Sequence, residues 1–197
     1  MAVSETSICN MALGILGGKL INSFDDDTSP AAIRCRLFYG PTRDALLRSH
    51  AWRFASARKV LIQDDTDPVY EWDNQFILPV DLLRVKSIYE NRFSDENIHS
   101  YALEGERFLT NDSTVSLRYV KKVTDTSKFD PLFVKVFVLL LADELIGPVA
   151  GGDKRIQKKI DDALAKLMPA VRALDSQETN TIGEGELETW NDARYSG

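Results

Sequence analysis

At 197 residues, 44% hydrophobic and 27% charged, the chain has the size and composition of one soluble globular domain, or of one domain carrying a sizeable insertion. Its net charge of −6 and pI near 5.0 argue against tight duplex-DNA binding, because that affinity comes mainly from neutralised phosphates; an acidic chain can still surround DNA without gripping it. Two cysteines and two histidines without clustered spacing speak against a disulfide framework and against a structural zinc site.

The N-terminal residues lack the basic region of a secretory signal. The most apolar run, Leu132 to Ile146, carries Lys135, Asp143 and Glu144 and is too short to cross a bilayer, which takes about 20 residues. A soluble protein made in a cytoplasm is the expectation.

A first helix is predicted from about Ser4 to Leu16, with Ser4 as its cap and Ile8, Ala12, Ile15 and Leu16 on one face. Gly17-Gly18 stops it. Asp25-Asp26-Asp27 invites a metal reading, but the alternating ligands, central glycine and distal glutamate of a calcium loop are missing. Acidic residues ahead of a helix are favoured by its dipole. Ser29 caps the second helix, Pro30 occupies its first position, and it runs to about His50. Ile33, Leu37 and Leu47 are its expected inner face, and Gly40-Pro41 is expected to kink or break it. Arg34, Arg36, Arg43 and Arg48 lack the interleaved aromatics of a nucleic-acid surface and read as solvated charges or subunit ion pairs.

From Trp52 the pattern changes to strands. Trp52 and Phe54, at period 2, are expected on one side of a strand reaching Gln63, with Arg53, Arg58 and Lys59 outward. Asp64 to Pro68 is a turn. Phe76–Leu78 and Val85–Tyr89 are short strands separated by Pro79-x-Asp81. Asn91–Ser100 is a polar projecting loop, Tyr101–Thr110 a strand–Gly turn–strand unit, and Val115–Val120 alternates strictly. A small antiparallel sheet is expected here. Asp130 and Pro131 then open a third helix, apolar nearly all round and therefore central, ending at Gly147-Pro148. After Gly151-Gly152-Asp153 a fourth helix carries the stripe Ile156, Ile160, Leu164, Leu167, Val171 and Leu174, with a kink at Pro169. From Ser176 onward an acidic, glycine-spaced tail cannot bury enough apolar surface to fold alone.

The fold class expected is therefore α+β, mainly α: a four-helix body (1–51 and 129–175) with an inserted antiparallel β module (52–128) and an extended acidic C-terminal tail (176–197). No Gly-x-Gly-x-x-Gly, phosphate-binding loop, Gly-x-Ser-x-Gly or His-Glu-x-x-His occurs. His50 and His99 stand apart from any evident nucleophile. Cys9 and Cys35 can face each other across a helix pair, where packing accounts for them. No catalytic, cofactor or metal residue is assigned. Acidic pairs such as Asp25 with Asp27 or Glu104 with Glu106 leave a glycan hydrolase as one alternative and a stand-alone binding module as another.

The order of paired helices, Ser-His-Ala-Trp-Arg-Phe-Ala (49–55), Tyr-x-Trp (70–72), Leu78-Pro79-x-Asp81, the strand 115–120 and the Asp130-Pro131 helix start resembles the tail tubular protein A family of short-tailed bacteriophages, the head-to-tail adaptors. The resemblance spans roughly Ser4 to Leu174. It implies a structural, non-enzymatic virion protein forming a twelve-fold ring below the portal protein and above the tail nozzle (a tail tubular protein B-like partner), with tail fibres or spikes as further neighbours. DNA would pass through its channel without sequence-specific binding. On that footing, Glu184, Glu186, Glu188, Trp190 and Tyr195 are expected portal contacts, since aromatics dominate interface hot spots. Arg34, Arg43, Arg48 and Lys158 are expected subunit contacts, the loop Asn91–Ser100 is expected towards the nozzle or fibres, and Trp52, Phe54, Trp72 and Pro79 are expected to pack the β module.

Overall fold

The computed structural model describes residues 3–89 and 100–177. The acidic tail beyond Gln177, and the expected projecting loop apart from Ser100, lie outside the described residues. The architecture is α+β, mainly α. Helices α1 (Glu5–Ile15), α2 (Pro30–Ser49), α3 (Pro131–Ala150) and α4 (Lys154–Gln177) enclose the larger core, and among the described residues seven short strands form the β module between α2 and α3.

Ser4 caps α1 in a reciprocal box with Ser7: the Ser7 N–H donates to Ser4 Oγ at 3.1 Å, and the Ser4 N–H donates to Ser7 Oγ at 2.9 Å. The buried stripe is Ile8, Cys9, Ala12, Leu13 and Leu16. Ile15, expected inward, is exposed because the buried stripe is centred on Ala12 and Leu16 and position 15 lies just past its edge. Past the helix, Gly18 lies so close to α3 that a Cβ there would stand 2.7 Å from Val149 Cγ1.

In α2, Ser29 caps and Pro30 starts the helix as expected. Its inner face differs from the expected one. Ala32, Cys35, Tyr39, Thr42, Arg43, Leu46 and Leu47 are buried, whereas Ile33 (55% exposed) and Leu37 (65%) face outward. The helix also continues through Pro41. Proline removes the donor to the carbonyl four residues back, that of Leu37, which sits on the solvent side where water can replace the bond.

Asp130 accepts from the N–H groups of Leu132 (2.7 Å) and Phe133 (3.3 Å) at the start of α3. This helix is buried on most sides, and α1, α2 and α4 each pack against it. It does not end at Gly147-Pro148. It runs to Ala150 because Pro148 forfeits only a last-turn bond, and it closes at Gly151 in the left-handed region (φ 62°), with the Gly152 N–H on the Ile146 carbonyl at 3.1 Å. Asp153 then accepts from the Arg155 N–H at 2.7 Å to start α4. Along α4, Ile160 and Val171 are fully buried, with Ile156, Leu164, Leu167 and Met168 packed beside them; the side chain of Leu174 is outside the described residues. Pro169 lies within the continuous helix.

The strands are β1 (Ser56–Val60), β2 (Ile62–Gln63), β3 (Asn74–Ile77), β4 (Leu82–Tyr89), β5 (Ala102–Glu104), β6 (Arg107–Thr110) and β7 (Ser116–Lys121). They make two antiparallel sheets rather than one, in the orders β1–β7–β4 and β2–β3–β6–β5. The chain crosses between sheets at Leu61, a buried residue whose N–H is held by the Val115 carbonyl at 2.8 Å. Between the sheets lies a second core of Leu61, Phe76, Ile88, Phe108, Val115, Leu117 and Tyr119. Bulges between Leu82 and Arg84, and between Val85 and Ser87, let β4 send Leu82, Val85 and Ile88 into this core while Leu83 packs on the helical body.

Trp52 and Phe54 are not on a strand. Residues Arg53–Ala55 form a 3-10 turn and β1 begins only at Ser56. Both aromatics consequently turn into the helical core. Trp52 packs edge-on against Phe133 (5.1 Å between ring centres), and Phe54 meets Phe133 (5.0 Å) and Phe129 (6.0 Å). The Trp52 indole N–H donates to the Leu46 carbonyl at 3.0 Å, so burial leaves no polar atom of the ring unpaired. Val120 and Val123 join the same helical core, which places the physical seam between the two cores inside the expected β module rather than at its edges.

Candidate interaction surfaces

The acidic run before α2 is a stapled turn. The Asp27 carboxylate accepts from the backbone N–H groups of Asn22 (2.9 Å) and Ser29 (2.7 Å), which hold its pKa below the usual carboxylate value. Arg36 donates to the Phe24 and Asp27 carbonyls, and the Asn10 amide clamps the backbone of Ile21 with bonds of 2.9 and 2.8 Å. Among the described residues no three His, Cys, Asp or Glu side chains converge as metal ligands would.

Cys9 and Cys35 meet across α1 and α2 as free, buried thiols, and the hydrogen bond between them, together with burial, raises the Cys9 pKa. Beside them the Tyr39 ring is wedged against Phe24 (5.0 Å) and Phe137 (4.9 Å). Among the described residues its hydroxyl has no hydrogen-bond partner, and burial raises its pKa. An unpaired buried hydroxyl costs roughly 1–3 kcal/mol of desolvation. Tyr39→Phe is therefore expected to leave the fold intact and to raise unfolding free energy by about 1 kcal/mol in urea titration; a loss of stability of similar size would show that the hydroxyl is satisfied in solution.

The expected subunit-contact residues divide. Arg43 is only 7% exposed, and its Nε and Nη2 both lie 2.8 Å from Asp44 Oδ1, while Lys122 Nζ reaches Asp44 Oδ2 at 2.8 Å. Asp44, through Lys122, ties α2 to the stretch after β7, and Arg43 is buried beside it rather than on the surface; a guanidinium this buried needs its carboxylate close by. Arg34 donates to the Pro148 carbonyl at 2.9 Å and thereby links α2 to the end of α3. Arg48 donates to the Leu83 carbonyl, joining α2 to β4. Lys158 is exposed on α4 beside exposed Lys154, Arg155 and Lys159. The structure thus leaves two unlike surfaces on the body: the outward apolar pair Ile33/Leu37 on α2 and the basic row at the start of α4.

Within the β module, Trp52 and Phe54 serve the helical core, as described. Pro79 is buried and its carbonyl accepts the Leu82 N–H at 3.0 Å, closing the turn into β4. Asp81 secures that turn to β7 twice. Its carbonyl takes the Lys122 N–H at 2.6 Å, and its carboxylate accepts from the Tyr119 hydroxyl at 3.0 Å. Burial and this bond push the Tyr119 pKa up to about 12. Trp72 is half-buried and, among the described residues, belongs to neither apolar cluster. Glu184, Glu186, Glu188, Trp190 and Tyr195 are outside the described residues.

Sequence reasoning did not find one further surface, because it depends on register. Arg58 on β1 stands directly opposite Arg118 on β7, which is opposite Ser87 on β4. The bulge before Ser87 restores its side of the sheet, so Arg84, opposite Val120, shares that face two residues along. Like charges opposed on neighbouring strands disfavour the pairing by roughly 0.2–1 kcal/mol. Among the described residues no carboxylate pairs with Arg58, Arg84 or Arg118; Asp44, Asp64 and Asp81 are engaged elsewhere, by Arg43 with Lys122, by Arg107 and by Tyr119 respectively.

No protein-family model and no curated protein matches the chain.

Proposed function

We propose that this chain is a structural ring subunit, the head-to-tail adaptor of a short-tailed bacteriophage. On this reading it is made in the host cytoplasm and joins the virion between portal and tail nozzle, where it extends the channel through which DNA leaves. The observation that carries the reading is the pair of unlike outer surfaces on the helical body. A ring closes through heterologous contacts, in which one face of a subunit meets a different face of the next. An outward apolar pair on α2 and a basic row on α4 supply two such faces. The element order supports it as well, since a β module inserted between α2 and α3 accompanies the motif order that resembles the adaptor family. Glu184, Glu186, Glu188, Trp190 and Tyr195 are the proposed portal contacts, and Lys158 a proposed subunit contact.

Native mass spectrometry of the chain alone and with purified portal rings of the encoding virus tests this. A multi-copy ring, formed alone or on the portal and lost in Ile33→Glu/Leu37→Glu, is the expected result. A chain that remains monomeric and ignores the portal would overturn it.

A further inference from the structure

The arginine face of the β1–β7–β4 sheet has a second half. Arg58 and Arg118 oppose each other, Arg84 follows on the third strand, and Ser87 and Ser116 add hydroxyls to the same side. Opposed residues bring their Cβ atoms to about 5 Å, and residues two apart on a strand are about 6.7 Å apart. Three guanidinium groups are thus gathered within one small patch that includes no compensating carboxylate among the described residues. Such a patch is stabilised by a polyanion laid across it.

The chain contains one. Residues 178–197 carry five carboxylates, Glu178, Glu184, Glu186, Glu188 and Asp192, against the single Arg194. They therefore hold most of the net charge of −6. Glu184, Glu186 and Glu188 alternate, so in an extended backbone all three carboxylates face one side at about 6.7 Å spacing. That spacing fits the rows of the arginine face.

We infer that the acidic C-terminal segment, through Glu184, Glu186 and Glu188, docks on the Arg58–Arg118–Arg84 face of this chain before any partner is engaged. The inference is independent of the adaptor reading. If that reading holds, portal binding would displace the segment from the arginines. Nucleic acid is the competing polyanion, and magnitude decides against it. About three phosphate contacts give only a shallow salt dependence and weak duplex affinity. A tethered segment meets the face at an effective concentration in the millimolar range.

Hydrogen-exchange mass spectrometry of the full-length chain reads the docking directly. At about 20 mM salt, peptides within 178–197 are expected to exchange roughly tenfold more slowly than in Arg58→Glu/Arg118→Glu. At about 500 mM salt the difference should vanish, because the charges are screened over a few ångströms. Should the arginine variant fail to fold, Glu184→Lys/Glu186→Lys/Glu188→Lys changes only the segment and is expected to lose the same protection. Combining the two sets should restore it. Exchange in the unaltered chain as fast as in the glutamate-to-lysine variant would overturn the inference. So would a short DNA duplex that binds through Arg58 and Arg118 while exchange in the segment stays unchanged.

Discussion

Phe133→Ala is expected to lower the unfolding free energy by about 3–5 kcal/mol. Phe133 is fully buried on the first turn of α3, and four aromatic rings surround it: Phe129 (4.9 Å), Phe54 (5.0 Å), Trp52 (5.1 Å) and Phe137 (5.8 Å). Truncation removes a large apolar area and opens a cavity whose walls are rigid rings, each fixed by further contacts. Trp52 cannot move into the space without giving up its bond to the Leu46 carbonyl. The site therefore collapses poorly, which places the cost in the upper part of the range for such changes. Against a total of about 5–15 kcal/mol, the loss is a large fraction. In a chain of this length it corresponds to a melting temperature lower by about 6–20 °C. Guanidinium titration followed by circular dichroism checks it. A loss below about 1 kcal/mol would mean that the aromatic cluster is not the keystone described.

Ile160→Asp should have an equally large but local effect. α4 packs principally against α3, and only Ile160 and Val171 along its described face are fully buried. An aspartate at 160 must either bury a carboxylate in an apolar seam, at a cost of several kcal/mol, or leave the seam. The cheaper outcome is release of α4, because the core around Phe133 and Leu141 is built by α1, α2, α3 and the aromatic residues Trp52, Phe54 and Phe129. Amide protection across 154–177 is expected to fall to that of an isolated helix, while protection in α3 and in the β1–β7–β4 sheet is retained. Uniform loss of protection everywhere would show that α4 is a cooperative part of the whole body instead.

The helices were legible in the sequence where local chemistry decides. Ser4, Ser29 and Asp130 cap as their identities require, Pro30 and Pro131 sit at first positions, and the all-round apolar α3 is the central element. Reading failed where tertiary context outranked pattern. Ile33 and Leu37 look like a core stripe, but the buried face of α2 runs through Ala32, Cys35, Tyr39, Thr42, Leu46 and Leu47, a different side of the helix. Trp52 and Phe54 have strand spacing, yet a 3-10 turn aims both at the same helix. Pro41 and Pro148 failed to break their helices, because a missing donor on a solvent-facing side or in a last turn costs little. The arginine face was invisible for a different reason. Arg58, Arg84 and Arg118 are far apart in sequence, and only the cross-strand register with its two bulges puts them together.

The position of α3 at the centre of the body has a consequence for the order of events on the ribosome. α1 and α2 each find their packing partner in an element that begins at residue 131. At about 5–20 residues per second, the inner faces of α1 and α2 wait for several seconds after their own synthesis before that partner emerges. Every strand has left the ribosome before α3 does, so the two sheets can pair first and hold Trp52 and Phe54 near where Phe133 will arrive. A nascent chain stalled before residue 131 would thus expose the apolar sides of two helices at once, and those sides are where a chaperone would find it.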